Sequence, residues 1–427
     1  FGTDGIRGVF GEGVMSEAEI RKIAQGLANY LGEGKVVIGR DTRESGEAIE
    51  AMLVEVLAAN GLDVSSLGVV PSPATAYWTK SHAAQCGISI TASHNPASDN
   101  GVKFFNAEGQ KLKLEEERRL ETCIQNVDTV KSGGHKPAVI KDAASVYSDW
   151  VCSLFSGLNL SQYKLVVDMA HGATYQSSKR AFEQLGAEVV ALGDAPDGRN
   201  INLAVGTECP RTIVKAREDE GAHFGIAFDG DGDRVMVVDE EGSVLKGTEF
   251  LGILTLHERP PVMVTTIQSN SGLDASLEEF GIRVVRCGVG DRNVFYSMVE
   301  HQAQIGGESS GHYILRDYSD TGDGLIAVLQ LLKVLKAEAK SLSELRQQID
   351  LLPKVEADVV VKSKPPMESL EPLHAAIADV EKQLDGKGRV LVRYSGTEMK
   401  VRLLIEGPES KLESWMDGLK RAVQESF

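Results

Sequence analysis

Three aspartates, Asp229, Asp231 and Asp233, alternate with glycines in the segment DGDGD. Carboxylates packed this closely repel one another, so the folded state needs a cation or a large pKa shift. Gly230 and Gly232 free the backbone, which lets the three side chains converge. All-oxygen ligands favour Mg²⁺ or Ca²⁺ over zinc, and Mg²⁺ commonly adds a phosphate oxygen to two or three carboxylates. The segment therefore predicts a Mg²⁺ site that takes a phosphate ligand from elsewhere.

A solvated acidic turn and an EF-hand loop are the alternatives for this segment. Glu240 falls at the twelfth position of an EF-hand loop, but Arg234 replaces the glycine that such a loop requires. The following VMVVDEEG is typical of a strand and a turn, where an EF-hand would begin a helix. These two departures argue against the EF-hand.

The segment TASHNPASDNGVKFF, residues 91–105, places Ser93 among residues typical of turns. An ordinary turn is the simplest interpretation. A phosphorylated Ser93, however, would bring about −1.5 to −2 charges and the acceptor oxygens that the three aspartates lack. We therefore predict Ser93 as a phosphorylated nucleophile and a fourth metal ligand, with Lys103 on the same loop.

The segment GGESSGH offers Glu308, Ser310 and His312 among glycines. A common glycine-rich turn is one interpretation. The other is a sugar-binding loop, because a carboxylate and a hydroxyl accept from and donate to vicinal sugar hydroxyls, and histidine titrates near neutrality. A base must take the proton of an attacking hydroxyl, and both Lys103 and His312 are candidates.

Basic residues on other loops could hold phosphate. In RYSGTE, Arg393, Ser395 and Thr397 could form an anion nest with the backbone amides around Gly396, and Arg402 follows on the next predicted strand. A hairpin turn with an exposed arginine is the alternative.

Arginines also lie on glycine-rich loops in FGTDGIRG and GRDTRESG. Arg7 is predicted to bind substrate, because the glycines around it leave its loop little other purpose. Arg234, next to the aspartates, is assigned to substrate binding as well. Arg40 and Arg43 could instead be structural, since arginines at strand ends often pair with nearby acids.

These loops follow a repeated pattern of strands and helices. Three rounds of strand, helix, strand, helix and strand end at TASHNP, DGDGDR and GESSGH. Helix signals support the pattern, such as the predicted capping box of Ser16 and Glu19. Alternating strands and helices imply mostly parallel sheets, in which ligands bind beyond the carboxyl ends of strands.

The predicted fold is of the α/β class, with three repeated βαβαβ domains of mostly parallel mixed sheets and a C-terminal α+β domain. The four domains surround a central cleft. Their predicted bounds are residues 1–147 with the phosphoserine loop, 148–246 with the Mg²⁺ loop, 247–354 with the sugar loop and 355–427 with the phosphate loop.

Composition excludes several classes of partner. The chain has 427 residues, 42% of them hydrophobic, and a net charge of −17, which argues against nucleic acid and anionic membranes. No apolar run approaches the length of a membrane span. The five cysteines form no CxxC pair, which favours reduced thiols in a cytoplasmic protein. No signal peptide is recognised, and because the chain begins with Phe1 we expect a few residues to precede it.

Together the loops predict phosphoryl transfer through a phosphoserine. The phosphate nest would hold the substrate's other phosphate and orient the sugar toward Ser93. TASHNP, DGDGDR, GESSGH and RYSGTE also resemble the α-D-phosphohexomutase family, in the family's order and over essentially the whole chain. FGTDGIRG, GRDTRESG and SHNPASDNGVKFF resemble the bacterial members that act on glucosamine phosphates.

The resemblance implies that the chain interconverts glucosamine 6-phosphate and glucosamine 1-phosphate on the route to UDP-N-acetylglucosamine. It implies that phosphorylated Ser93 and the three aspartates bind Mg²⁺, that Glu308 and Ser310 bind sugar hydroxyls, and that Arg393, Ser395 and Thr397 bind the nonreacting phosphate. A bisphosphorylated sugar is the implied intermediate and activator. A homodimer is left open.

Two positions depart from the family pattern. Ser309 replaces the Gln of the sugar loop in the glucosamine enzymes, and Met399 replaces a Pro after the phosphate loop. Neither change removes a catalytic group. Ser309 lies between the two residues assigned to the sugar, so it bears on substrate choice and leaves a mutase for mannose or glucose phosphates as an alternative. A non-catalytic sugar-phosphate sensor is disfavoured because the nucleophile and the metal ligands are present, and a phosphatase would need water in the closed cleft.

Overall fold

A computed structural model of the chain describes residues 4–134, 136–395 and 399–427, apart from the side chain of Glu409. The chain divides into two compact units. The first comprises the residues up to 268 together with 281–347, and the second comprises 269–280 together with 348–427. Within the part of the chain that is described, no helix is both long and apolar enough to cross a membrane.

The first unit contains three sheets, of which the first has six strands. The strands are β1 (Ile6–Val9), β2 (Lys35–Arg40), β3 (Asp63–Val69), β4 (Cys86–Ile90), β5 (Asp99–Phe105) and β6 (Ala138–Val139). Their order is β1-β5-β4-β2-β3-β6. The pairs β2–β3, β2–β4 and β3–β6 are parallel, and β5 is antiparallel to both neighbours. The helices are α1 (Glu17–Leu31), α2 (Gly46–Ala59), α3 (Ser72–Ser81) and α4 (Leu114–Gln125), and α5 (Ala143–Leu154) leads to the next sheet.

The second and third sheets repeat a parallel centre with one antiparallel edge strand. The second contains β7 (Lys164–Asp168), β8 (Glu188–Leu192), β9 (Phe224–Phe228) and β10 (Val235–Val238), in the order β10-β9-β7-β8. The third contains β11 (Val262–Thr266), β12 (Arg283–Cys287), β13 (Ile305–Gly307) and β14 (Tyr313–Leu315), in the order β12-β11-β13-β14. Their edge strands β10 and β14 are antiparallel to β9 and β13.

Helices connect these strands. They are α6 (Ser177–Gln184), α7 (Pro210–Asp219), α8 (Gly247–Glu258), α9 (Gly272–Glu278), α10 (Asp291–Glu300), α11 (Gly324–Glu338) and α12 (Leu342–Arg346). Of these, α9 belongs to the second unit. Buried apolar residues on both faces of the strands explain their near-continuous hydrophobic sequences, as expected for parallel sheets.

The second unit contains an antiparallel sheet of three strands, in the order β15-β17-β16. The strands are β15 (Lys354–Val360), β16 (Arg389–Tyr394) and β17 (Lys400–Glu406), and the helices are α13 (Glu371–Leu384) and α14 (Leu412–Ser426). In β15 half-buried and exposed positions alternate, as expected for a strand with one face on a core. The α/β class, the mixed sheets and the C-terminal α+β fold predicted from the sequence are confirmed.

The predicted capping box at the start of α1 is only half formed. The backbone N–H of Glu19 donates to Oγ of Ser16 at 3.5 Å. The reciprocal bond is replaced, because the backbone N–H of Ser16 donates to the carbonyl oxygen of Gly13 in the preceding 3₁₀ turn. The backbone N–H of Ser16, which the sequence pattern predicted to bond the Glu19 side chain, is therefore used in a local turn.

Candidate active site

Ser93 lies just beyond β4, and its side chain is buried. Its φ of 51° is in the left-handed region, which serine seldom adopts. The hydroxyl Oγ donates a hydrogen bond to Oδ2 of Asp229 at 2.5 Å. The fold thus brings the predicted nucleophile directly onto the predicted metal loop.

The three aspartates of that loop are buried in the turn between β9 and β10. One carboxylate oxygen from each lies within 4.8 Å of the other two. Oδ1 of Asp229 accepts from the backbone N–H groups of Gly232 and Arg234, both at 3.1 Å, which fixes the turn. A Cβ at Gly230 would lie 2.4 Å from the carbonyl oxygen of Ser93, so glycine also permits the two loops to approach.

A lysine supplies the cation that the carboxylates need. Nζ of Lys103 donates to Oδ2 of Asp231 at 2.7 Å and to Oδ2 of Asp233 at 2.9 Å, and it lies 2.8 Å from a carboxylate oxygen of Asp4. The prediction that Lys103 lies on the Ser93 loop is wrong. Lys103 is inside β5, because this segment pairs with both β1 and β4 and thereby continues the sheet.

The same contacts bear on which group acts as a base. Burial lowers the pKa of Lys103, but the carboxylates of Asp231, Asp233 and Asp4 outweigh it and raise the pKa well above the usual value. A lysine base has to be neutral when it accepts a proton. In this arrangement Lys103 is instead a fixed ammonium that donates hydrogen bonds.

Two aspartates of the metal loop have pKa shifts of opposite direction. Burial and the negative charges of Asp233 and Asp231 raise the pKa of Asp229 well above its usual value. Burial also acts on Asp231, but there the charge and hydrogen bond of Lys103 lower the pKa. Asp231 is therefore the stronger acid of these two neighbouring side chains.

Two carboxylate oxygens of the loop are left bare. Oδ2 of Asp231 accepts from Lys103 and, at 2.5 Å, from the hydroxyl of Ser72. Oδ1 of Asp231 and Oδ1 of Asp233 are buried and have no hydrogen-bond partner among the described residues. Such oxygens are costly to bury alone and are ligands that Mg²⁺ prefers. The residues present therefore fit a divalent cation.

The predicted substrate-binding arginines of the first unit border this cluster. Arg7 forms an ion pair with Asp4. Burial lowers the pKa of Arg234, but the charges of Asp233 and Asp229 outweigh it and raise the pKa. Among the described residues, the buried Nε atoms of Arg7 and Arg234 have no hydrogen-bond partner. Both guanidinium groups therefore keep donors available for an anion.

The sugar loop follows β13 and is connected to the metal loop. The backbone N–H of Val235 donates to the carbonyl oxygen of Gly311 at 3.0 Å, and Arg234 and His312 form a backbone bridge. Glu308 is 8% exposed, and its Oε1 accepts from the N–H of Gly290 at 3.0 Å.

The remaining groups of the sugar loop differ in their surroundings. Ser309 and Ser310 are exposed. His312 is buried, its Nε2 lies 3.8 Å from Oδ2 of Asp291, and neither ring nitrogen has a hydrogen-bond partner among the described residues. The predicted sugar-binding residues thus lie beside the metal loop within the first unit.

The predicted phosphate loop belongs to the second unit. Arg393 in β16 stands opposite Arg402 in β17. Burial and the charge of Arg402 lower the pKa of Arg393, as expected where two guanidinium groups face one another. Ser395 is buried and its N–H donates to the carbonyl oxygen of Lys400. The other two predicted residues, Gly396 and Thr397, lie outside the described residues.

Sequence reasoning missed four side chains of the first unit's cluster. Asp4 contacts Lys103 and pairs with Lys111, which also lies 3.2 Å from Asp291. Ser72 contacts Asp231. Asp4 could have been suspected, because it stands three residues before Arg7 in FGTDGIRG. For the other three no local signal exists, since their partners are distant in the sequence.

Comparison with known domain families covers most of the chain. The alpha/beta/alpha domains I, II and III of phosphoglucomutase/phosphomannomutase match residues 1–131, 146–242 and 248–351. The C-terminal domain of phosphoglucomutase/phosphomannomutase matches residues 356–418. All four predicted loops fall within these matches.

Curated relatives match over nearly their whole length. A phosphoglucosamine mutase of Hydrogenovibrio crunogenus is 42% identical, over 100% of this chain and 98% of the relative. A phosphoglucosamine mutase of Shewanella piezotolerans is 43% identical, over 96% of this chain and 94% of the relative.

Solved structures share the fold. A phosphoglucomutase/phosphomannomutase family protein of Burkholderia thailandensis superimposes with a TM-score of 0.83 at 24% identity, over 99% of this chain and 97% of that one. A putative phosphomannomutase of Thermus thermophilus gives the same TM-score and identity, over 99% and 98% of the two chains. The chain therefore belongs to the phosphoglucomutase/phosphomannomutase family, the α-D-phosphohexomutases.

Proposed function

We propose that this chain interconverts glucosamine 6-phosphate and glucosamine 1-phosphate, through a phosphoserine at Ser93 and a bisphosphorylated sugar. The hydrogen bond from Ser93 to Asp229, beside two bare carboxylate oxygens, is the observation that carries the mechanism. The full-length similarity to curated phosphoglucosamine mutases supports the amino sugar as substrate.

Mg²⁺ is the cofactor of this proposal. Asp229, Asp231 and Asp233 would hold it together with an oxygen of phosphorylated Ser93. When bound, the metal supplies positive charge that stabilises the transferring phosphoryl group. The bare oxygens of Asp231 and Asp233 support this assignment.

The chain's own residues supply the rest of the chemistry. Ser93 gives up its phosphate to the sugar, and in the dephosphorylated form its hydroxyl proton points at Asp229. Lys103, held charged by three carboxylates, neutralises phosphoryl oxygens. That leaves His312 as the stronger of the two predicted bases, because both its ring nitrogens are without a partner among the described residues.

Substrate recognition requires residues that bind the sugar hydroxyls and residues that bind phosphate. Glu308 and Ser310 are proposed to bind the sugar hydroxyls, and Arg7 and Arg234 the phosphate near Ser93. The set proposed for the distal phosphate is Arg393, Ser395, Gly396, Thr397 and Arg402. The facing guanidinium groups of Arg393 and Arg402 support an anion there.

The four domain bounds predicted from the sequence, 1–147, 148–246, 247–354 and 355–427, stay a proposal, as does a homodimer. A cytoplasmic location is proposed as well, supported by five free cysteines. The phosphosugar is the partner that the proposed reaction requires.

Turnover of three sugar phosphates tests the substrate. The protein is primed with glucose 1,6-bisphosphate and assayed with glucosamine 1-phosphate, glucose 1-phosphate and mannose 1-phosphate. We expect kcat/KM to be highest for glucosamine 1-phosphate. A preference for either neutral sugar would instead identify a sister mutase.

Intact mass tests the phosphoserine. Priming should add one phosphate to the wild-type chain and none to Ser93→Ala, which should also lose turnover. A wild-type chain that takes up no phosphate and turns over none of the three sugars would support a sensor. Release of inorganic phosphate should stay minor beside isomerisation, and dominant release would indicate a phosphatase.

A further inference from the structure

The side chains of Arg43 and Asn202, from loops that follow strands of two different sheets, hold the backbone of the Ser93 loop. The carbonyl oxygen of Ser93 accepts from Nη2 of Arg43 at 3.0 Å and from Nδ2 of Asn202 at 2.9 Å. The carbonyl oxygen of Asn95 accepts from the same two nitrogen atoms, at 2.8 and 3.0 Å. Each carbonyl is therefore held from two directions.

Arg43 has no donor left for a substrate. Its Nε donates to Asp41 at 2.9 Å, and its Nη1 donates to the carbonyl oxygens of Pro96 and of Asp99. With the two bonds from Nη2, every N–H of the guanidinium is used within the protein. Arg43 is also 1% exposed. These contacts assign Arg43 to the loop rather than to a phosphate.

Asn202 presents its amide from the second sheet's loops. Its own φ is 59°, a left-handed conformation that asparagine tolerates better than most residues. Its backbone N–H donates to the carbonyl oxygen of Ala170 at 2.8 Å. Asp168 in turn accepts from the N–H groups of Ala170 and Gly206, at 2.9 and 2.7 Å. The amide is thus placed by hydrogen-bonded loops on both sides of it.

The Ser93 backbone needs such support. A non-glycine residue in the left-handed region is strained, and the conformation persists only where its surroundings impose it. Relaxation of φ would move Oγ away from Oδ2 of Asp229, which it now contacts at 2.5 Å. The backbone N–H of Ser93 also donates a hydrogen bond to Oγ1 of Thr91 at 2.9 Å.

We propose that Arg43 and Asn202 are positioning residues for phosphoryl transfer. They hold the two carbonyl oxygens so that Oγ of Ser93 stays directed at the metal loop. This inference rests on the proposed function of Ser93. It assigns to Arg43 and Asn202 no contact with the sugar or with the transferring phosphate.

The test measures one phosphoryl transfer. Dephosphorylated wild type, Asn202→Gly and Arg43→Lys are mixed with glucose 1,6-bisphosphate, and the phosphate gained by the chain is followed by intact mass over time. Asn202→Gly removes the amide but tolerates the left-handed φ. Ala204→Gly is the matched control, because Ala204 has a φ of 58° in the same loop and its side chain lacks a donor.

Asn202→Gly should slow the transfer about tenfold or more, since small misplacements of reacting groups cost up to about a hundredfold. Its KM for glucosamine 1-phosphate should stay within about twofold of wild type, because the amide does not touch substrate. Ala204→Gly should transfer at the wild-type rate with a similar Tm. Arg43→Lys should be slower still, since a lysine cannot reach all four carbonyl oxygens.

A wild-type transfer rate in Asn202→Gly would overturn the inference while leaving the proposed function intact. A raised KM with unchanged kcat would also overturn it, because that pattern belongs to a substrate-binding residue. If wild type itself accepted no phosphate, the proposed function would fail first and the inference with it.

Discussion

Replacing Lys103 with methionine should destabilise the metal-free protein strongly. Its Nζ lies 2.7, 2.9 and 2.8 Å from carboxylate oxygens of Asp231, Asp233 and Asp4. At an effective dielectric constant of about 20, each contact amounts to about 6 kcal/mol of Coulomb attraction, most of which desolvation offsets. Removing one partner of such a buried pair costs about 3–5 kcal/mol, because the remaining charges stay buried. We expect a loss of that size.

The same substitution should strengthen metal binding. The ammonium of Lys103 repels a divalent cation at the bare oxygens of Asp231 and Asp233. Without it, Mg²⁺ should bind roughly tenfold more tightly or better, which corresponds to about 1.4 kcal/mol of additional stabilisation by saturating metal. Phosphoryl transfer should nevertheless fall, since the cation that neutralises phosphoryl oxygens is lost.

Thermal unfolding with increasing MgCl₂ tests this pair of effects. Lys111→Met is the matched control, because Lys111 is a buried lysine that pairs with Asp4 and Asp291 but with none of the three metal-loop aspartates. Both variants should lose Tm without metal, and MgCl₂ should raise the Tm of Lys103→Met more than that of Lys111→Met or wild type. Equal increments in all three proteins would show that the ammonium of Lys103 does not oppose Mg²⁺ binding at the aspartates.

Three further predictions concern packing and protonation in the first unit. Tyr147→Phe should destabilise by about 1–3 kcal/mol, seen as a lower Tm, because Tyr147 donates at 2.5 Å to buried Asp323, whose oxygen would lose its partner. Burial raises the pKa of Asp323 from 3.8 to about 6. Between these two pH values the folded state keeps a proton on Asp323 that the unfolded state releases. The stability that this proton contributes is therefore lost as the pH rises from about 4 to about 6. Asp323→Asn should therefore gain stability relative to wild type between about pH 4 and pH 6 in urea unfolding, and a pH-independent difference would contradict this. Gly172→Ala should weaken Mg²⁺-dependent stabilisation and turnover, because its Cβ would lie 2.4 Å from the carbonyl oxygen of Gly230 in the metal loop. Gly157→Ala is the control, since a Cβ at Gly157 would meet open space, and it should match wild type in both assays.

Much of the fold was predictable because its signals are local. Apolar runs bounded by turn residues identified the strands, and the alternation with amphipathic helices predicted parallel sheets. The position of the polar loops after β4, β9 and β13 followed from that alternation. Each loop lies at the carboxyl end of a strand, where ligands bind in such sheets. The three strands belong to three different sheets, however, so the meeting of their loops depends on how the sheets pack, which the sequence pattern does not indicate.

Other features depend on partners distant in the sequence. Lys103 was assigned to a loop because Asp-Asn-Gly precedes it, whereas the structure pairs this segment on both sides with β1 and β4. The helix α9 has an ordinary local pattern, yet Ser271 before it donates to Glu406 in the second unit. Hydrophobic periodicity predicts a helix, but it does not indicate which part of the fold the helix belongs to.

The cation beside the aspartates shows the same limit. Mutual repulsion of the three carboxylates predicted a need for positive charge or for a large pKa shift. It did not reveal that a buried lysine supplies part of that charge through one oxygen of Asp231 and one of Asp233, leaving the other oxygens bare. Such a division of ligand atoms depends on side-chain geometry.

The proposed Mg²⁺ site includes the phosphate of Ser93 as a ligand, so the phosphorylated and the dephosphorylated protein should differ in their affinity for Mg²⁺. Titration calorimetry on both forms, with phosphate content checked by intact mass, compares the metal site with and without the phosphate on Ser93. Phosphorylation should tighten Mg²⁺ binding by about tenfold or more, within the usual range of coupling between two groups. Equal affinities would show that the phosphate is not a ligand of the metal and would contradict the proposed mechanism.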